Sequence, residues 1–203
     1  MLVWINGAFG SGKTQSAFEL HRRAPDTHVA DPELIGHAMH KMLPAVARRD
    51  YQDLPQWRAA VTAMLIDVVA AHEGSVIVPM TMVEVAYFDE IVGGLRSAGV
   101  DVRHFALVAS RETLSARLKT RSGYWVGKAV GRDETWAMQQ IDRCVEALAS
   151  ERFAIHIETD GRSIDGVVED IAAQAGIALT EPRLSVARYQ LRRLAVGVRH
   201  IRL

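Results

Sequence analysis

The chain has 203 residues, 49% hydrophobic and 24% charged, with a formal net charge of zero, which is ordinary for a soluble globular protein and long enough for one α/β domain. Its single cysteine, Cys144, excludes an intrachain disulfide, and we expect it to be a buried structural thiol. No apolar run approaches the roughly 20 residues that span a bilayer, and no basic segment precedes the first apolar residues, so we expect a cytoplasmic protein.

The first predicted elements are a strand, a glycine loop and a helix. The apolar residues of Leu2–Asn6 predict a buried strand, and those of Lys13–Arg23 predict a helix. Between them, G-A-F-G-S-G-K-T (Gly7–Thr14) matches the phosphate-binding pattern G-x-x-x-x-G-K-[ST]. A strand before this pattern and a helix after it form the context in which it binds a nucleoside triphosphate, so we favour that function over an ordinary glycine turn.

Each residue type in the loop suits the binding of phosphate. Glycine permits backbone angles that turn successive N–H groups towards a polyphosphate, and the helix N-terminus adds partial positive charge. Lys13 is expected to neutralise the outer phosphates, and the Thr14 hydroxyl is expected to bind Mg²⁺. The residues predicted to bind the nucleotide here are Gly7, Ala8, Phe9, Gly10, Ser11, Gly12, Lys13 and Thr14.

Strands and helices alternate along the rest of the chain. This alternation favours an α/β fold with a parallel sheet of five strands, covered by helices on both faces, over residues 1–178. The segment 121–132 contains three glycines and no clear period, and we interpret it as a lid-like loop. The further predicted strands are His28–Ala30, Ser75–Pro79, Val102–Val108 and Phe153–Glu158, and the further helices are Pro32–Met42, Pro55–His72, Val83–Ala98, Arg111–Thr120, Asp133–Ala149 and Ser163–Ala175.

Polar residues at the strand ends are the candidates for catalysis, because ligands of open α/β sheets bind beyond the carboxyl ends of the strands. Asp31 follows the second strand and either accepts the proton of an attacking hydroxyl, holds Mg²⁺ through water, or only caps the next helix. The third strand ends without the aspartate usual in ATPases and GTPases, which favours a kinase-like site over a motor or a switch. Thr81 there is expected to contact substrate or to cap a helix, with Glu84 as a nearby acid.

Basic residues after the fourth strand are candidates for contacts with phosphate. Arg117 and Arg121 lie four residues apart on one helical face, where they would clamp phosphate oxygens, stack on adenine, or form a solvated basic face. Arg143 on the next helix is a further candidate for binding substrate, and Arg132 is a weaker one. Asp160 lies in a turn after the fifth strand, which either approaches the nucleotide base or is a plain connection.

No convincing metal-ligand cluster is present in the sequence. His37 and His40 share a helix face, but no third ligand is placed with them. We therefore expect this pair to be packed or solvated.

The C-terminal segment 183–203 is basic, with six arginines and no acid, whereas the rest of the chain has 18 basic residues against 24 acidic ones. Apolar residues at spacings of three and four predict an amphipathic helix, although Gly197 leaves a strand over Leu194–Leu203 open. Such a segment would lie on an anionic membrane surface as a peripheral contact, pack on the acidic body, or pair with a second copy in a homodimer. Nucleic acid is disfavoured because no aromatic residues interleave the bases in a known module.

Several motifs together carry a family resemblance. The opening W-I-N-G-A-F-G-S-G-K-T-Q, followed by F-E-L-H-R-R, D-P-E, I-V-P-M-T and Q-I-D-R-C-V-E, closely resembles the tunicamycin-resistance ATP-binding proteins of bacteria over residues 1–178. The resemblance implies a protein that binds ATP and protects cells from tunicamycin, a nucleoside antibiotic with a fatty acyl chain. A more distant similarity to the shikimate, adenylate and chloramphenicol kinases implies the P-loop kinase fold with strand order 2-3-1-4-5, Asp31 as the acid at the second strand end, and Arg117 and Arg121 as lid arginines.

The leading functional hypothesis is a kinase that phosphorylates a hydroxyl of tunicamycin or a related nucleoside-sugar. Lys13 and Mg²⁺ would neutralise the phosphates, Asp31 would activate the hydroxyl, and Arg117 and Arg121 would stabilise the transferred charge. Two alternatives stay open. One is an ATP-gated protein that sequesters the drug without chemistry, and the other is a kinase of an ordinary nucleoside or sugar.

Overall fold

One parallel sheet of five strands forms the centre of the molecule. The structure, a computed structural model, describes residues 1–120, 135–153, 155–185, 187–190 and 192. All four neighbouring strand pairs are parallel and the strand order is β2-β3-β1-β4-β5, which confirms the predicted fold class. The strands are β1 (Leu2–Gly7), β2 (His28–Val29), β3 (Val76–Pro79), β4 (Val102–Val108) and β5 (His156–Glu158).

Helices connect the strands, as parallel pairing requires. Three single 3₁₀ turns lie at Ala45–Ala47, Tyr51–Asp53 and Glu151–Phe153. The helices are α1 (Lys13–Arg23), α2 (Glu33–Met42), α3 (Pro55–Ala71), α4 (Val85–Ser97), α5 (Arg111–Lys119), α6 (Trp136–Gln139), α7 (Ile141–Leu148) and α8 (Ile164–Ala175).

Strand β1 lies in the middle of the sheet and is buried along its whole length. Successive side chains of a strand point to opposite faces, so β1 contributes to two cores. Leu2 and Trp4 pack in the core that includes α3 and α4, whereas Val3 and Ile5 pack with α1 and α8. A strand buried on both faces holds its carboxyl end in a fixed place, and that end is where the glycine loop begins.

Two predicted elements differ from the structure by more than one or two residues at an end. The predicted strand Phe153–Glu158 begins only at His156, because the Phe153 N–H donates to the Ser150 carbonyl within a 3₁₀ turn and is not available to the sheet. The predicted helix Asp133–Ala149 is interrupted at Gln140, whose ψ of −4° breaks the helical path between α6 and α7. Positions 133 and 134 of that helix lie outside the described residues.

Among the helices that the structure describes, none is both long enough and apolar enough to cross a membrane.

Candidate functional site

The glycine loop connects β1 to α1 at the carboxyl edge of the sheet. Gly10 and Gly12 have φ values of 91° and 100°, in the left-handed region that favours glycine. A Cβ atom on Gly12 would lie 2.9 Å from Ile164 Cδ1, and one on Gly10 would lie 3.2 Å from the Leu114 carbonyl oxygen. The loop therefore requires glycine at both positions for backbone conformation and for space.

Two polar side chains of the loop suit a bound polyphosphate. Ser11 is 1% exposed, and its Oγ has no hydrogen-bond partner among the described residues. Lys13 is 7% exposed, with Nζ 4.9 Å from the centre of the Phe9 ring. Burial of a hydroxyl without a partner costs free energy that an anionic acceptor would recover. The loop thus fits a nucleoside triphosphate, and Thr14, half-buried in the first turn of α1, fits the Mg²⁺ that accompanies one.

Asn6, the residue before the loop, holds the loop to the rest of the sheet and was not identified from the sequence. Its Oδ1 accepts hydrogen bonds from Gly7 N at 2.8 Å and Met82 N at 2.9 Å, and its Nδ2 donates to the Met82 carbonyl at 2.7 Å. Nδ2 also lies 3.2 Å from His104 Nε2. The signal that could have revealed Asn6 is a polar residue at the end of an otherwise apolar strand.

Thr81 forms a second brace on the loop. Its Oγ1 donates to the Gly7 carbonyl at 2.8 Å, and its own carbonyl accepts from Gln52 Nε2 at 3.1 Å. The side chain is 4% exposed. Contact between Thr81 and a substrate stays a prediction, while the structure places its hydroxyl on the loop backbone.

Arg117 and Asp160 lie beside the loop on its other side. Arg117 Nη2 donates to the Thr159 carbonyl at 2.6 Å, and its Nη1 lies 3.4 Å from the Ser11 carbonyl. Asp160 accepts from Ser110 N at 3.1 Å, and hydrogen bonding from Ser110 lowers the pKa of this carboxyl. The structure therefore brings both predicted nucleotide contacts to one edge, where each also connects α5 to the turn after β5.

Asp31 lies after β2, two strands away from β1. Its Oδ1 accepts from Glu33 N at 3.0 Å, so the side chain pairs with the first N–H of α2, although the N-cap position itself is Pro32. A role for Asp31 as proton acceptor stays a prediction. Arg121, Arg132 and the whole segment 121–132 lie outside the described residues.

A cavity adjoins the phosphate loop at Phe9, and we call it the Phe9 pocket. Its aromatic lining is Phe9, Tyr87 and Trp136. The Phe9 and Trp136 rings meet edge to face with centroids 5.0 Å apart, and Trp136 is 56% exposed. The polar side chains that line the pocket are Asp50, Gln52, Asp53, Thr81, Glu84, Gln140 and Arg143.

The acidic wall of the Phe9 pocket is held by Arg58. Its Nη1 donates to the Gln52 carbonyl at 2.6 Å, its Nε donates to Glu90 Oε2 at 2.6 Å, and its guanidinium lies 4.1 Å from the centre of the Tyr87 ring. Tyr87 in turn donates its hydroxyl to Asp53 Oδ1 at 3.2 Å. These contacts fix a 3₁₀ turn whose sequence has no periodicity, and so the sequence did not reveal this wall.

The opposite wall comes from α6 and α7. Arg143, predicted as a substrate contact, lines the pocket there and lies 3.9 Å from Glu84 in a solvent-exposed ion pair. Cys144 is 2% exposed, and burial raises the pKa of its thiol, which confirms the expected buried thiol.

The histidine pair of α2 packs against an aromatic ring. His37 and His40 lie with ring centroids 6.1 Å and 5.4 Å from that of Tyr51, and His40 Nε2 lies 2.7 Å from the Arg49 carbonyl oxygen. Among the described residues, no group of three or more histidine, cysteine or acidic side chains could hold a metal ion.

The described part of the basic C-terminal segment contacts the body of the protein. Arg183 pairs with Glu169 at 2.5 Å, and Glu169 also pairs with Arg23 at 2.8 Å. Further along, Arg192 Nη2 donates to the Phe18 carbonyl at 3.2 Å. These contacts are of the kind predicted for packing on the acidic body, and residues 193–203 lie outside the described residues.

Comparisons with known proteins agree with this geometry. A family model described as AAA domain matches residues 2–148. The tunicamycin resistance protein of Deinococcus radiodurans shares 33% identity over 89% of this chain and 98% of that chain, with a TM-score of 0.74. No curated protein sequence matches the chain.

More distant solved structures share the fold. A sugar kinase from Janibacter sp. shares 19% identity over 87% of this chain and 95% of its own, with a TM-score of 0.62. The APS kinase of Mycobacterium tuberculosis, in complex with AMPPNP and APS, shares 16% identity over 86% of this chain and 96% of its own, with a TM-score of 0.59. The chain thus belongs to the AAA domain family and to the family of tunicamycin-resistance proteins, and it has a P-loop kinase-like fold.

Proposed function

We propose that this protein is an ATP-dependent phosphotransferase that phosphorylates a hydroxyl group of tunicamycin or of a related nucleoside-sugar. The observation that carries the proposal is the direct contact between a phosphate-binding loop and a separate polar pocket. Phe9 belongs to both, since the centre of its ring lies 4.9 Å from Lys13 Nζ and 5.0 Å from the centre of the Trp136 ring. A kinase needs a donor site and an acceptor site in this relation.

The residues of the loop would hold the donor. ATP would supply the phosphoryl group to be transferred, and Mg²⁺ on Thr14 would neutralise part of its charge. Lys13 contributes a positive charge at the loop, and the N-terminus of α1, which begins at Lys13, adds its partial positive charge. Arg117 would bind the nucleotide beside Ser11, where its guanidinium already lies.

The proton of the acceptor hydroxyl needs a base. We assign this role to Asp31, at the carboxyl edge of the sheet that also carries the loop. The strand end between them, at Met80 and Thr81, carries no carboxylate that would activate water. This arrangement favours transfer to an organic hydroxyl over hydrolysis. Since ATP is the donor, we infer that the protein acts in the cytoplasm.

A mass measurement tests the proposal. The purified protein is incubated with ATP, Mg²⁺ and tunicamycin, and the drug is analysed by mass spectrometry for an added phosphoryl group. We expect phosphorylated drug from the unmodified protein and from Lys41→Ala, which removes an exposed lysine from the end of α2. We expect none above background from Lys13→Ala.

Other results have distinct meanings. Tight binding of the drug without added phosphate would indicate a protein that sequesters tunicamycin and is not a kinase. The protection of cells would then scale with the amount of protein and survive Asp31→Asn. Transfer to a nucleoside or sugar in a substrate panel, but not to tunicamycin, would indicate a kinase of an ordinary metabolite.

A further inference from the structure

We infer that the Phe9 pocket selects acceptors that present a polyhydroxylated ring and carry no negative charge, and that it rejects phosphorylated or carboxylated ones. The inference rests on the proposed function, because it treats this pocket as the acceptor site. It adds that the acceptor carries no negative charge, which the proposed function does not state.

The charge of the pocket is the first argument. Three carboxylates line it, from Asp50, Asp53 and Glu84, against the single guanidinium of Arg143 among the described lining residues. Arg143 lies 3.9 Å from Glu84, so part of its charge is already balanced within the pocket. An anionic acceptor would lose hydration on entry and meet a net negative wall, and both effects oppose its binding.

The hydrogen-bonding capacity of the wall is the second argument. Asp50 Oδ1 accepts from Gln52 N at 3.0 Å, and Asp53 Oδ1 accepts from the Tyr87 hydroxyl at 3.2 Å. An ionised carboxylate has about four acceptor positions on two oxygens, so each acid retains capacity for a ligand after these contacts. Groups that only accept hydrogen bonds suit a ligand that donates them, and sugar hydroxyls are such donors.

The aromatic pair is the third argument. Trp136 is 56% exposed although its ring is large and apolar, and it packs edge to face on Phe9 of the phosphate-binding loop. Exposed aromatic rings beside acidic and amide groups provide an apolar surface for the C–H face of a sugar ring, while the acids bind its hydroxyls. Phe9 is also a loop residue, which places such a ring next to the phosphoryl donor.

A binding experiment with matched sugars tests the inference. Affinities of N-acetylglucosamine and of N-acetylglucosamine 6-phosphate are measured by calorimetry or ligand-observed NMR, with AMPPNP and Mg²⁺ present throughout. We expect the neutral sugar to bind about tenfold more tightly at low ionic strength. In the double variant Asp50→Asn with Asp53→Asn, this ratio should fall by about threefold or more, because the amides remove two negative charges.

Two further variants separate the pocket from the loop. Trp136→Ala should weaken the binding of the neutral sugar by about tenfold and leave the affinity for AMPPNP unchanged. Asp101→Asn, which changes an exposed acid just before β4 and outside the pocket, should change the affinity for neither sugar.

The outcomes distinguish this inference from the proposed function. Equal or tighter binding of the phosphorylated sugar would overturn the inference, and so would binding of neither sugar while AMPPNP still binds. A preference for the neutral sugar, without phosphoryl transfer to any acceptor, would support the pocket assignment and overturn the kinase.

Discussion

Replacement of Asn6 by leucine should destabilise the protein strongly, although the two side chains are similar in size. Asn6 is 0% exposed, and its amide bonds Gly7 N, Met82 N and the Met82 carbonyl at 2.7–2.9 Å. Leucine would leave these three backbone groups buried without partners and would leave little room for a water to replace the amide.

The magnitude follows from the three groups that lose their partners. Each buried unsatisfied group costs about 1–3 kcal/mol, and the apolar side chain offsets part of the total. We expect the free energy of unfolding of Asn6→Leu to fall by about 3–5 kcal/mol. For a protein of this size, each 1 kcal/mol lowers the melting temperature by about 2–4 °C, so a decrease of about 10 °C is expected.

Urea denaturation followed by circular dichroism measures this change. Thr62→Val is the matched control, because it also removes a polar group, but one whose hydroxyl only donates to the Arg58 carbonyl within α3. We expect a change of less than about 0.5 kcal/mol for the control. Thr81→Val removes the other brace on Gly7 and should cost about 1–2 kcal/mol.

The network also predicts how the two changes combine. Asn6 and Thr81 both hold Gly7, so the double variant should lose less than the sum of the single losses. A loss below about 1 kcal/mol for Asn6→Leu, or full additivity with Thr81→Val, would refute the account of the loop as a structure held by this buried network.

Three further predictions concern the rest of the molecule. Hydrogen bonds from Arg183 and then from Arg23 lower the pKa of Glu169 to about 2. A depressed carboxyl pKa stabilises the fold at pH values above the unfolded pKa of about 4.3, and this contribution is lost as the pH falls towards 2, so acid-unfolding curves of Glu169→Gln should show a flatter acid limb than the parent. The loss of stability at pH 7 should be about 1 kcal/mol or less, because the contact with Arg183 is exposed and the buried Arg23 keeps its pairing with Asp165. Gly12→Ala should lower the free energy of unfolding, measured with denaturant, by about 2 kcal/mol, because φ is 100° and the new methyl group meets Ile164. Gly93→Ala, at an open and exposed position of α4, should raise it by about 0.5–1 kcal/mol, and equal effects of the two changes would contradict the loop geometry. Arg117→Ala should weaken the binding of a fluorescent ATP analogue by about tenfold in an equilibrium titration. Arg117→Lys should not restore the affinity, because lysine lacks the planar guanidinium that contacts Ser11 and Thr159. Unchanged affinity would show that Arg117 is not part of the nucleotide site.

The phosphate loop and the sheet could be predicted from the sequence because their signals are local. The whole phosphate-binding pattern lies within Gly7–Thr14, and the apolar residues directly before and after it indicate a strand and a helix. The strand order could not be predicted from local patterns, and its prediction came from the family resemblance. The break at Gln140 was missed because a single ψ near 0° has no reliable sequence signal in an otherwise helical pattern.

The walls of the Phe9 pocket could not be predicted in the same way. Asp50 and Asp53 lie in a polar stretch between α2 and α3, and their positions depend on Arg58 and Tyr87, which are distant or on other elements. Asn6 is similar, since its partner Met82 lies 76 residues away. Side chains whose place is set by tertiary hydrogen bonds leave no periodic pattern, so only the folded structure brings them together.

The braces on Gly7 bear directly on the choice between hydrolysis and transfer. In ATPases and GTPases the strand end next to the loop supplies an acid, but here it supplies Thr81 and Met82. The Thr81 hydroxyl donates to the Gly7 carbonyl and the Met82 N–H donates to Asn6, so both groups hold the loop. The residues that follow, Val83 and Glu84, line the Phe9 pocket. One short segment therefore holds the phosphate-binding loop and forms part of the Phe9 pocket, so a shift of either would displace the other. Such coupling is useful to an enzyme that must align two substrates, and it is of little use to one whose second substrate is water.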